Sequence, residues 1–180
     1  MLIEYSVYIW RVKIMKKTAF LIVLFAAAVF CFADPVEGFW LSVDEKTNQV
    51  TAGWHIYQEG GRLYGKILST ADEPRGVIAD RCRESYRNFP VPGRVNTMPV
   101  VGTPWIFGLT MQREGQWSGG YVVNPEDGGM YSCRIIFHPS DGRRYTIDTL
   151  EMRGEIGLGI GRSQFWRKTD EATASNLWPR

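Results

Sequence analysis

Residues 153–168 read RGEIGLGIGRSQFWRK, with Gly154, Gly157, Gly159 and Gly161 inside eight residues and Arg162 and Trp166 close behind. Two kinds of fold use such a run. In a dinucleotide-binding unit, glycines spaced G-x-G-x-x-G follow a strand and open a helix whose amides face phosphate. In a β-protein, closely spaced glycines mark corners, bulges and close backbone approach. The spacing here misses the first pattern, no G-K-[ST] loop occurs, and SQFWRK reads as a strand. The run is therefore the turn into a closing strand, with Arg162 and Trp166 on one face because side chains four apart share a face.

Working outward, the rest of the chain alternates with a period of two. Val50, Ala52, Trp54 and Ile56 share a face, and the turn QEGG leads into a strand where Leu63, Gly65 and Ile67 alternate with Tyr64, Lys66 and Leu68. The stretch WIFGLTMQR groups Trp105, Phe107, Leu109 and Met111. Past Glu114-Gly115 come Trp117, Gly119, Tyr121 and Val123, and past NPEDGG come Tyr131, Cys133, Ile135 and Phe137. With strands at Phe39–Val43 and around Thr149–Arg153, the expectation is an all-β domain: an antiparallel up-and-down β-barrel of about eight strands. No helix-length periodic segment supports βαβ units. Residues 70–103 form one long connection with Pro74, Pro90, Pro92 and Pro99, where DRCRESYR is suited to a helical turn; such a loop is commonly functional. Residues 170–180 read as a polar, frayed tail.

The N-terminus is a separate matter. Met15-Lys16-Lys17 precedes an apolar run ending at Ala33, with Cys31 and Ala33 at the −3 and −1 positions of a cleavage site before Asp34. That is the form of a secretory signal, and the run is short of the roughly 20 residues that span a bilayer. Residues 1–33 are thus read as an extension plus signal peptide, with Met15 the suspected start, and 34–169 as the barrel domain, exported to the periplasm or beyond. Four of the 21 Lys and Arg (Arg11, Lys13, Lys16, Lys17) and one of the 19 acids (Glu4) precede residue 34, so the net charge of +2 becomes −1 for residues 34–180. No basic stripe suggests nucleic acid. Cys82 and Cys133 are either one disulfide, as an oxidising compartment favours, or two free thiols.

A barrel whose first and last strands pair brings Trp40 of GFW near Arg162, with a guanidinium on an indole. Gly38-x-Trp40 and an arginine in the final strand resemble the lipocalin or calycin plan. More closely, GFW, then WSGGYVVNPEDGGMYSCRI, then LEMRGEIGLGIGRSQFWRK resemble domain-of-unknown-function family 2147, secreted bacterial proteins with a lipocalin-like barrel. The resemblance spans about 38–168 and implies that Gly38, Trp40, Arg162 and Trp166 close the barrel floor. The hairpin IYQEGGRLYGKI lacks cysteines that many members carry there, so no disulfide transfers. The family brings no settled activity.

Catalytic groups do not assemble in the sequence. His55 and His138 have no partner at metal-ligand spacing, Ser118 lacks the glycine of a nucleophile elbow, and NPEDGG lacks the twelfth-position Glu of a calcium loop. No metal, cofactor or reaction is expected. The aromatic side chains Trp54, Tyr64, Trp105, Phe107, Trp117, Tyr121 and Tyr131 are instead the candidate lining of a cup for a small hydrophobic or lipid-like molecule, with the 70–103 loop as wall and lid. The competing expectation is a filled barrel that serves as an envelope interaction module.

Overall fold

The computed structural model describes residues 33–157 and 159–178, which from Asp34 onward belong to one compact unit. The leader expected over residues 1–33 lies, but for Ala33, outside the described residues. Eight strands follow in order: β1 (Gly38–Val43), β2 (Val50–Glu59), β3 (Arg62–Thr70), β4 (Pro104–Arg113), β5 (Gln116–Val123), β6 (Met130–His138), β7 (Thr149–Gly157) and β8 (Ile160–Thr169). Each pairs antiparallel with the next, and β8 returns to β1 through Phe39↔Thr169, Trp40↔Lys168 and Leu41↔Arg167. The barrel is closed, so no strand edge is left open to pair with another chain. The glycine run decides as the strand reading requires: β7 continues to Gly157, β8 begins at Ile160, and Gly154 and Gly161 lie inside the paired hairpin.

Two bulged glycines determine which aromatics face inward. Gly108 and Gly119 have φ of +76° and +79°, a left-handed backbone that glycine adopts freely. Leu63 pairs with Leu109 while Gly65 pairs with Ile106, so β4 holds an extra residue at this point. Likewise Trp117 pairs with Ile135 while Gly120 pairs with Cys133, which puts the extra residue of β5 beside Gly119. Alternation restarts at each bulge. Ile106, Leu109, Trp117 and Val122 face the interior, and Trp105, Phe107 and Tyr121 face out.

One end is plugged. Asp34–Glu37 turn beneath the barrel, where the Asp34 carboxylate accepts from the amides of Val36 and Gly115 at 3.1 Å each. Trp40 is fully buried above them, donates from Nε1 to the Val36 carbonyl at 2.9 Å, and meets Phe137 edge-on from the opposite wall at 6.3 Å. The cation on its ring is Lys168, with Nζ 4.3 Å from the centroid and donating to the Glu37 carbonyl at 2.7 Å. Arg162 does not reach the floor. It pairs with Gly154, six residues before Lys168, or roughly 20 Å along a strand. Trp166 is buried one layer above the floor, stacked on Trp54 with centroids 4.8 Å apart.

The outer face carries two further layers. Residues 71–103 fold as a flap over β4 and β5, with a single 3₁₀ turn at Val95–Thr97 and no helix in DRCRESYR. Phe89 sits 5.9 Å from Trp105 and 5.3 Å from Phe107, and Trp105 Nε1 donates to the Val100 carbonyl at 2.7 Å. These contacts anchor the flap to the outer wall, where it serves as packing. Residues 170–178 are not frayed either: Asp170 caps α1 (Glu171–Ser175), accepting from the Thr173 amide, and Ala174 and Leu177 are buried. Ser69 Oγ donates to the Ala174 carbonyl at 2.7 Å, beside Gly53, whose missing side chain leaves room for that carbonyl.

Candidate functional site

Burial inside the barrel is graded from one end to the other. Near the floor and through the middle, Trp40, Ile56, Leu109, Ile135, Leu150 and Trp166 are at 0% exposure and Trp117 at 1%. Above them, Ala52, Trp54 and Val122 reach 7% and Met152 9%, and toward the far end Tyr131 and Gln164 are half-buried and Arg162 is exposed. All of these share the inward face, by the pairings Trp40↔Trp54, Val122↔Tyr131, Met152↔Gln164 and Gly154↔Arg162. Solvent thus meets the core at this mouth; at the floor, on the same face, Phe137 and Lys168 are half-buried beside the plug. The wall of the mouth is apolar, with polar groups at the rim, the composition of a small-molecule site.

Of the seven aromatics expected to line a cup, three face the interior. Tyr131 stands at the mouth; Trp54, cross-strand from Trp40 and stacked on Trp166, lies below it, and its Nε1 donates to Ser42 Oγ at 3.2 Å. Trp117 lies deep, its buried Nε1 without an acceptor among the described residues. Trp105, Phe107 and Tyr121 lie under the flap because of the bulges, and Tyr64 faces out beside Tyr57, with centroids 5.7 Å apart. Sequence reading missed Met152, Val122 and Gln164 as mouth residues. The bulge at Gly119 hides Val122 by shifting the face of β5, whereas Met152 and Gln164 follow by unbroken alternation from Leu150 and Trp166.

The disulfide does not form. Cys133 pairs with Gly120 and Gly154 on the inner face, whereas Cys82 belongs to the flap outside, and both thiols are free. The barrel wall separates them. Burial pushes each thiol pKa up and suppresses the thiolate that nucleophilic or metal chemistry needs.

Outside the barrel, titratable groups cluster without forming a catalytic relay. Ser163 Oγ donates to Glu151 Oε1 at 2.7 Å, and His138 Nε2 lies 3.0 Å from Glu151 Oε2. The carboxylate stands between the hydroxyl and the imidazole, so the imidazole cannot take the serine proton directly. Burial raises the Glu151 pKa, but these hydrogen bonds and the histidine outweigh it and leave it lowered. On the other side Phe39, His55, Tyr57 and Tyr64 stack in a ladder with Lys66 over Tyr57. Among the described residues no group of three or more His, Cys, Asp or Glu is placed to hold a metal, and no helix is long and apolar enough to cross a membrane.

A family model described as uncharacterized protein conserved in bacteria, DUF2147, matches residues 38–168, from the first glycine of the barrel to the lysine on its floor. The chain belongs to the DUF2147 family. A solved structure, "Protein HP1028 from the human pathogen Helicobacter pylori belongs to the lipocalin family", superposes with a TM-score of 0.60 over 79% of this chain and 88% of that one, at 15% identity. At that identity the likeness is one of fold: this DUF2147 chain is an eight-stranded, lipocalin-like barrel. No curated protein matches it.

Proposed function

We propose that this protein is exported and binds a small apolar or amphipathic molecule at the open end of its barrel. The observation that carries the reading is the graded exposure of the interior, from Trp40 at 0% to Met152 at 9%. The ligand rests on Trp54, Met152 and Val122, with Tyr131, Gln164 and Arg162 at the rim; the deep half of the barrel is packed and gives the cup its floor. Export is supported by the leader-like residues 15–33. No reaction is assigned.

Native mass spectrometry of residues 34–180, recovered from the periplasm of an expression host and mixed with a lipid extract of its envelope, tests binding. A noncovalent adduct of a few hundred daltons, lost on gentle activation, is expected. A bare mass in the presence of the extract contradicts the reading. It would favour the second one, an interaction module, for which the specific support is the fully buried packing of Trp40, Trp117 and Trp166.

A further inference from the structure

The two most exposed large apolar side chains among the described residues are Ile156 at 71% and Ile160 at 62%. Both sit at the tip of the β7–β8 hairpin. The other exposed large hydrophobics, from Ile78 to Trp178, lie between 38% and 48% and are dispersed over the surface, as single apolar residues ordinarily are. At the tip, six consecutive residues, Ile156 to Gly161, carry no charge.

Charge gathers just behind them. Arg153 donates from its guanidinium to the Gly159 carbonyl at 2.9 Å and pairs with Glu155 at 2.7 Å, which ties it to the hairpin and neutralises it. Arg162 is exposed, makes no ion pair among the described residues, and leaves the base of the tip with a net charge of +1. The hairpin is held by the pair Gly157↔Ile160 and by the barrel behind it, and Ile156 and Ile160 stand exposed beside that pair. Two exposed isoleucines on a narrow hairpin beside one unpaired arginine do not offer the broad flat area a protein partner needs. They match the layering of a bilayer surface, where acyl chains lie beneath anionic headgroups.

We infer that the β7–β8 hairpin docks on an anionic lipid surface, inserting Ile156 and Ile160 among the lipids while Arg162 meets the headgroups. The tip flanks the open end of the barrel, so docking turns the mouth toward the lipid. The inference stands independently of whether a ligand occupies that mouth.

Flotation of residues 34–180 with vesicles of equal parts phosphatidylcholine and phosphatidylglycerol, at low ionic strength, tests it; this unit holds the whole barrel, its plug and α1, and excludes the apolar leader. The wild type is expected to float. The double variant Ile156→Ser, Ile160→Ser should bind about tenfold more weakly or worse, because two apolar side chains no longer leave water. Arg162→Gln should weaken binding to these vesicles and leave binding to pure phosphatidylcholine unchanged. Ile147→Ser, at the plugged end, should float like the wild type. Both tip side chains are exposed, so an unchanged urea midpoint verifies that the double variant is folded. A wild type that stays with the soluble fraction overturns the proposal, as does a folded double variant that floats equally well. Loss of flotation in Ile147→Ser to the same degree also overturns it. A concentration-dependent dimer abolished by the tip variant, without flotation, would give the tip to a second copy instead.

Discussion

The Lys168 ammonium lies 4.3 Å from the centroid of the Trp40 ring and donates at 2.7 Å to the carbonyl of Glu37, tying the last strand to the residues that plug the barrel. Gly38 makes the approach possible: its φ is +119°, and a β-carbon there would stand 2.9 Å from Nζ. Burial lowers the lysine pKa, with Asp148 and Glu37 pulling the other way, and the ring and the carbonyl take the place of water around the ammonium. Lys168→Met should cost about 1–2 kcal/mol in urea denaturation, from one cation–ring contact and one charged hydrogen bond. Arg162→Gln, at the exposed opposite end, should stay within about 0.5 kcal/mol of wild type. The reverse order would restore Arg162 to the floor.

Gly53 sets the position of α1. A β-carbon at residue 53 would stand 1.9 Å from the Ala174 carbonyl oxygen, a backbone atom that can clear it only by moving the helix. Gly53→Val is expected to release residues 170–180 to limited proteolysis and to lower stability by about 1–3 kcal/mol, as overpacking does. If the tail stayed protected, α1 would not rest on that strand.

His55, half-buried in the outer aromatic ladder, has its pKa lowered below 6.5 by burial first and by the Lys66 ammonium second. The unfolded chain then binds more protons at this site between the folded pKa and 6.5, so this histidine's contribution to stability is lost as pH falls through that window and recovered as pH rises. An NMR titration should give a midpoint below 6.5 that moves upward in Lys66→Gln. A midpoint unmoved by that change would remove the lysine from the explanation.

Free thiols can be counted. Denatured without reductant, residues 34–180 should take two alkyl groups, and in the folded state Cys133 should react far more slowly than in urea, because it is buried in the barrel and its thiolate is suppressed. No alkylation of the denatured, unreduced chain would mean a disulfide.

What the sequence made legible was the number, order and pairing of strands, because period-two runs and turn residues such as Gly60-Gly61 are local signals. The floor was half legible: Trp40 is there, but choosing between Arg162 and Lys168 required the register of β8 on β1, a contact between the first and last strands. The cup was legible only where alternation ran unbroken, at Trp54 and Tyr131. At Gly108 and Gly119 a left-handed residue shifts the face, and Trp105, Phe107 and Tyr121 moved outside with the shift. In sequence those glycines look like any others in a strand. The short helix over 171–175 was hidden for a related reason: it owes its place to Ala174, Leu177 and the bare backbone of Gly53, and five residues have little helical preference of their own.

The central claim is that a ligand enters at the open end. It is tested most directly by titrating isotope-labelled residues 34–180 with an apolar naphthalene dye and following assigned NMR resonances. The account predicts saturable shifts at the Met152 methyl, the Trp54 indole N–H and the Tyr131 ring, with the Trp40 and Trp105 indoles unmoved. Shifts confined to Trp105, Phe107 and Tyr121 beneath the flap, or none at any interior residue, would contradict it.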